Sequence, residues 1–396
     1  MPVIPYPPQD ILYTDQWSLK TMKIPQAWEL LRNMNEEKTY GDPDIIIGIL
    51  DQGILSETVN GELVCTHADL SGHVSNGKNK IARFYDFSNN TVEENNNTVT
   101  IGHGMSAASV AAAKVNHGLK NGMVGVAPGC RLMAGKRSED TGDTIMARSL
   151  ARMAGFIDSA KGYMYVPSGG CDIINCSFNW LYNGESHEPP ALTKQVSFSM
   201  ARQGRHGKGT VLIIAAGNNA EAISIKNLLP KYTDCIIVGA SVIDVNNKET
   251  FAPYSNYSDD FATVDICAPS SLVVGEDLET NPVTNKGIVA ATLPGQGNIA
   301  NNNHINYFGG TSASAPMVAG VVALMLTANP NLTSADVKNI LRDTADIIDR
   351  NTTDEMAKWI SIPNPSPNQR PILYSKKMGY GRVNAESAVQ RAIDML

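Results

Sequence analysis

The chain has 396 residues, 42% of them hydrophobic and 18% charged, so it can bury a substantial core and lacks the composition of a disordered polypeptide. Thirty-two Lys and Arg against 39 Asp and Glu leave a net charge of −7, which argues against a nucleic-acid partner. The apolar runs reach only about ten residues, half of what a membrane span needs, so none is expected.

Met1-Pro2-Val3-Ile4-Pro5-Tyr6-Pro7-Pro8 is neither a signal peptide nor a folded pro-domain, and reads as a proline-rich arm leading to Trp17. Residues 1–20 are therefore set apart as an arm or short prosegment, and 21–396 as one domain without internal repeat or linker. The first buried strand is predicted over 44–51. Its continuous apolar run Ile45-Ile46-Ile47-Gly48-Ile49-Leu50 ends in Asp51-Gln52-Gly53, which places a carboxylate at the strand's C-terminal end. Chemistry gathers beyond such ends in open α/β sheets, although an Asp opening a turn has the same appearance. Gly102-His103-Gly104-Met105 then opens a small-residue helix near 103–114, with His103 at its start.

Further strands are expected at 131–136, 172–178, 210–216 and 235–241, with helical patterns near 143–160 and 190–206 between them. The alternation implies a three-layer α/β fold, a mostly parallel central sheet with helices on both faces and right-handed crossovers. Val211-Leu212-Ile213-Ile214-Ala215-Ala216-Gly217-Asn218 ends in a small-residue turn that presents an asparagine amide. Ser88 to Asn97, Trp180 to Pro190, 270–307 and Pro363 to Pro371 read as surface insertions. Phe308-Gly309-Gly310-Thr311-Ser312-Ala313-Ser314-Ala315-Pro316 sets Ser312 between a glycine turn and an apolar helix over 312–328. There a hydroxyl can be exposed and flanked by backbone N–H groups, which suits a nucleophile as well as an N-cap. A helix near 333–344 opens with Thr333-Ser334-Ala335-Asp336, which matches a capping box with Asp in the usual Glu position. Cysteines 65, 130, 171, 176, 235 and 267 contain no Cys-x-x-Cys pair, which argues against a zinc site; Cys176 and Cys267 read as buried thiols, and one or two disulfides remain open.

Taken together, the order Asp51, His103, Asn218, Ser312 resembles the subtilisin-like serine proteases, or subtilases, over nearly the whole chain. Gly125-Val126-Ala127-Pro128, Ile236-Ile237-Val238-Gly239-Ala240, Ala268-Pro269 and Gly379-Tyr380-Gly381-Arg382-Val383-Asn384-Ala385 add weaker echoes. The resemblance implies a serine endopeptidase acting on protein or peptide substrates through an acyl-enzyme. Ser312 would be nucleophile, His103 general base and acid, Asp51 its orienting carboxylate, and the Asn218 side chain an oxyanion donor. It further implies one cleft wall at Ser177, Phe178 and Asn179, an opposite wall near Ser138 to Asp143 with Gly142, and a pocket floor at Ala215, Ala216 and Gly217. A structural calcium would use Asp69 in His67-Ala68-Asp69-Leu70 and Asp10 in Pro8-Gln9-Asp10, with two surface aspartates as the alternative reading.

Some residues depart from the family pattern. Gln52 follows the aspartate where Ser, Thr or Asp is usual, and Met105 stands where Thr is usual. Phe178-Asn179-Trp180 replaces a glycine-bearing wall, which puts the breadth of specificity in doubt. Glu139, Asp140 and Asp143 could favour basic substrate residues. Val3-Ile4-Pro5-Tyr6 resembles the short prosegment of intracellular members, while secretion with the prosegment removed is the preferred location. A monomer is expected. The rival is the same fold used as a protein-binding module with catalysis lost.

Overall fold

Runs of Ile, Val, Leu and Ala with no polar alternation form strands only where both sheet faces are covered, and five of the six main strands are of that kind, the second being interrupted by Arg83. In the computed structural model these are β1 (Ile46–Asp51), β2 (Ile81–Asp86), β3 (Arg131–Lys136), β4 (Ile173–Cys176), β5 (Val211–Ala215) and β6 (Ile236–Ile243). The structure describes residues 6–396 apart from 89–92, 95–98, 100–101, 116–121, 138–142, 160–161, 168, 179–190, 224–233, 245, 260–262, 273–285 and 363–371.

The six lie parallel in the order β6-β5-β4-β1-β3-β2, with β7 (Ile266–Pro269) parallel against β6 and short antiparallel strands at Glu249–Phe251 and Glu93–Glu94. Ile49 pairs with Ala134 of β3 on one side and Asn175 of β4 on the other, and Ile213 pairs with Asn175 and Ile236. After β1 the chain builds β2 and β3 on one side of it, then crosses to β4 on the other. This reversal creates a crevice at the carboxyl ends of β1, β3 and β4, where such sheets place their sites.

Besides a short helical turn at Trp17–Thr21, the helices among the described residues are α1 (Ile24–Met34), α2 (His103–Ala112), α3 (Asp143–Met153), α4 (Ala191–Gly207), α5 (Thr311–Ala328), α6 (Ser334–Asp343) and α7 (Ala385–Asp394). One core joins Ile47, Ile49 and Ile213 to Ala107 and Ala108 of α2 and Val318, Val321 and Val322 of α5. On the other face Leu50, Leu212 and Ile214 pack with Leu150 of α3 and Val196 and Met200 of α4. This is the three-layer arrangement expected. Helix α5 is long and apolar enough to cross a membrane by length and composition, and 94% of that window is buried inside the protein.

The capping box of α6 is present: Asp336 N–H donates to Thr333 Oγ1 at 3.1 Å, and Thr333 N–H to Asp336 Oδ2 at 2.9 Å. Two readings need correction. The helix predicted over 143–160 stops at Met153, where Gly155 at φ +88° turns the chain into a strand at Phe156–Ser159. The stretch 270–307 is not wholly a surface insertion, since β8 (Ile288–Ala291) and β9 (His304–Phe308) form an antiparallel hairpin whose first strand is buried throughout. The open question of disulfides is answered by the fold: all six cysteines are free and buried, Cys176 and Cys267 as read.

Candidate active site

Asp51 ends β1 with 3% of its surface exposed, and its Oδ1 accepts hydrogen bonds from His103 Nδ1 at 2.8 Å and Gln52 N–H at 2.7 Å. His103 is the first residue of α2, and the small residues behind it let that helix lie close. A Cβ on Gly104 would stand 2.2 Å from the Gly53 carbonyl oxygen. The buried Asp51 charge and its hydrogen bond raise the His103 pKa above the ordinary histidine value, against the opposing effects of burial and of Arg137. Phe308 packs its ring edge-on to the imidazole, centroids 5.6 Å apart. Met105, where the family usually has Thr, is fully buried and its sulfur accepts the Leu55 N–H at 3.1 Å.

Ser312 lies in the first turn of α5, whose N-cap Gly310 adopts φ 73°, a conformation in which a side chain would be strained and would strike Asn218. The Ser312 hydroxyl donates to the Ser177 carbonyl at 2.9 Å, and the Ser177 hydroxyl donates to the Ser312 carbonyl at 2.9 Å. No hydrogen bond between Ser312 and His103 is present among the described contacts; the nucleophile rests on the end of β4. Asn218 follows β5 and is exposed. Its Oδ1 accepts from Thr311 N–H at 2.8 Å and Thr311 Oγ1 at 3.0 Å, which fixes the amide plane and leaves Nδ2 as its outward donor.

Ala216 is buried and Gly217 has φ 102°, its N–H donating to Thr311 Oγ1 at 3.0 Å. Phe178 is half-buried; Asn179 and Gly142, together with Ser138, Glu139 and Asp140, lie outside the described residues, as does the side chain of Asp143.

Two further residues enter that the sequence reading passed over. Arg137 comes directly after β3, a strand-end position that could have flagged it. Its N–H donates to the Asp51 carbonyl at 2.8 Å and its guanidinium lies 3.7 Å from the Phe178 ring centroid. Asn256 is fully buried and holds the 216–219 turn, donating Nδ2 to the Ala216 carbonyl at 3.1 Å and accepting from Asn219 N–H at 2.9 Å. No sequence signal marks it. A closed circuit of contacts thus runs from Asp51 to His103, Phe308 and, along the chain, Ser312, then to Ser177, Phe178 and Arg137 and back to Asp51. Residues far apart in sequence share one rim.

The two metal candidates are both buried. Asp10 is 3% exposed and precedes a helical turn whose Leu12 N–H donates to the Gly122 carbonyl at 3.1 Å. Asp69 is fully buried and accepts from His304 Nε2 at 2.6 Å. Val3, Ile4 and Pro5 lie outside the described residues, whereas Tyr6 donates to the Pro25 carbonyl at 2.9 Å.

A doubly covered parallel α/β sheet with its polar residues at the strand-order reversal defines the class. The subtilase family model matches residues 42–381, and the chain belongs to that family. It is 30% identical over 311 residues to a calcium-dependent protease of Trichormus variabilis, covering 74% of this chain and 40% of that one. It is 25% identical over 342 residues to a thermophilic serine proteinase of Bacillus sp. AK1, covering 86% and 64%. The chain thus spans less than two thirds of the length of these relatives. A solved protease of Pseudoalteromonas arctica PAMC 21717 shares the fold with TM-score 0.63 and 21% identity, over 97% of this chain and 99% of that one.

Proposed function

We propose that the protein is a serine endopeptidase in which Ser312 attacks the scissile carbonyl, His103 takes and returns the proton, and Asp51 holds the imidazole. The observation that carries this reading is the part-buried Asp51–His103 bond at 2.8 Å, on a rim shared with a half-exposed serine at a helix start. A carbonyl of the chain can only accept, so the Ser312 hydroxyl must turn from Ser177 toward His103 Nε2 before it can react. Hydrogen bonds of this kind often tighten only once substrate is bound. The tetrahedral oxyanion would be met by Asn218 Nδ2 and the Ser312 N–H. In subtilisin itself, loss of the equivalent donor costs roughly 10²–10³ in turnover.

Substrate would pair as an extended strand along the end of β4, with Ser177 offering its carbonyl, Phe178 bounding the wall and Ala216 and Gly217 flooring the pocket. Asn179 and Gly142 complete the proposed cleft. Calcium, which the relatives' name attaches to their activity, suits the Asp10 carboxylate; Asp69, bonded to an imidazole, offers it a poor oxygen shell. Similarity to a halolysin-like extracellular serine protease of Natrialba magadii, 24% identical over 96% of this chain, supports secretion as the proposed location.

The test is Ser312→Ala. Peptide cleavage should fall by about 10⁶, the size seen for the nucleophile in subtilisin, with the melting curve unchanged. A fluorophosphonate should label the native protein on Ser312. A folded protein that takes no label would point to the same fold used for binding.

A further inference from the structure

The resemblance makes Asp69 a calcium ligand, yet two imidazole nitrogens stand beside it among the described residues. His304 Nε2 lies 2.6 Å and His67 Nδ1 4.0 Å from Asp69 Oδ2, and the three candidate ligand atoms all fall within 4.8 Å of one another. The residues are 5%, 0% and 2% exposed in the order His67, Asp69, His304. Calcium takes about six to eight oxygens, whereas imidazole suits zinc and neighbouring transition ions. This donor set does not fit calcium.

The hydrogen bonds fix how His67 presents itself. Its Nε2 faces the Asn303 carbonyl at 3.1 Å, and a carbonyl only accepts, so Nε2 carries the proton. Asp69 N–H donates to Nδ1 at 3.3 Å, a long bond that identifies Nδ1 as the lone-pair nitrogen facing the carboxylate. A ring whose outer N–H is held by a backbone carbonyl while the inner nitrogen stays unprotonated is the usual setting of a metal-ligating histidine. Asn303 and His304 are adjacent, so one dipeptide orients the first ligand and supplies the second. Among the described residues His304 Nδ1 is buried with no hydrogen-bond partner.

We propose that His67 Nδ1, Asp69 Oδ2 and His304 Nε2 form a structural site for a divalent transition ion, Zn²⁺ by preference, with water in the fourth position. Metal–ligand bonds of about 2.0–2.1 Å in a tetrahedron set ligand atoms about 3.3 Å apart. The 2.6 Å contact would open and the 4.0 Å gap would close, each by roughly 0.7 Å. The ion takes the place of the proton between His304 Nε2 and Asp69, which moves to Nδ1. It ties the start of β9 to the 67–69 segment. Phe308, at the other end of β9, meets the His103 ring, so the ion would brace the strand that lines the active site without entering the chemistry.

The test uses the full chain stripped by chelator and titrated with Zn²⁺ by calorimetry and with Co²⁺ by visible absorption. One equivalent of Zn²⁺ should bind, Co²⁺ should show the bands of tetrahedral coordination, and excess Ca²⁺ should displace neither. At about 100 times its Kd, Zn²⁺ should raise Tm by a few degrees. His67→Gln keeps the Asp69–His304 bond and should fold. It and His304→Gln should each weaken Zn²⁺ binding at least about tenfold. Absence of a Zn²⁺ equivalent, its retention in both variants, or displacement of Co²⁺ by Ca²⁺ would overturn the site.

Discussion

At the scale of single residues the site divides by the physics that sets each position. Asp51, His103, Asn218 and Ser312 were legible because each sits where an apolar run meets a small-residue turn. Arg137 and Asn256 were not, since their roles rest on contacts across the fold: a guanidinium over the Phe178 ring, and an amide stitching the 216–219 turn. The pH dependence belongs here. Asp51 favours the imidazolium, so the folded-state pKa of His103 is raised above the ordinary value of about 6.5. A general base must be neutral, so the acid limb of kcat/KM should fall at higher pH than that value, and Asp51→Asn should move it lower. The linkage has the opposite sense for stability. Protonated His103 contributes to the fold below the unfolded pKa, and that contribution is lost as pH rises through the folded one. A limb unmoved in the Asn variant would remove Asp51 from its assigned part.

At the scale of elements, β1, β3, β4, β5 and β6 were readable as runs buried on both faces. β2 was not, because Arg83 leaves it half-exposed near the sheet edge and breaks the apolar run. α1 and α7 were missed as well. Their partners are each other and α5, so their amphipathic pattern gains meaning only when the chain's two ends meet. The hairpin β8–β9 was hidden in a polar stretch, its short apolar segment Ile288–Ala291 giving no period to read. Close approach of α2 to the 51–53 turn is the element-level demand of the site. Gly104→Ala would force a Cβ to within 2.2 Å of the Gly53 oxygen. We expect a loss of about 1–3 kcal/mol in a denaturant melt, with a larger fall in kcat/KM as His103 is carried away from Asp51. An Ala variant with wild-type turnover would mean that the helix start is not held by this contact.

At the scale of the whole molecule, two cores flank one sheet and hold five of the six cysteines, while Cys267 is buried in a smaller cluster with Ile348, Ala357 and Met378. Burial pushes the thiols of Cys65 and Cys130 up to about 12, so they stay protonated at neutral pH. Composition could not decide between thiols and disulfides, because an even count of six cysteines suits either; only the fold shows them unpaired. Native protein should therefore consume almost no Ellman's reagent, and six equivalents once unfolded without reductant. A shortfall after unfolding would reveal a bridge.

The Ser312 hydroxyl at rest on the Ser177 carbonyl makes that oxygen a latch. In the proposed mechanism, a peptide running along β4 would bring its own amide hydrogen to the same acceptor, and would so unlock the serine by the act of docking. A small activated ester has no such hydrogen and meets the latch closed. Turnover of peptide amides relative to simple acetyl esters should accordingly be high, and removing the backbone N–H by N-methylation at the pairing residue should cost more in kcat than in KM.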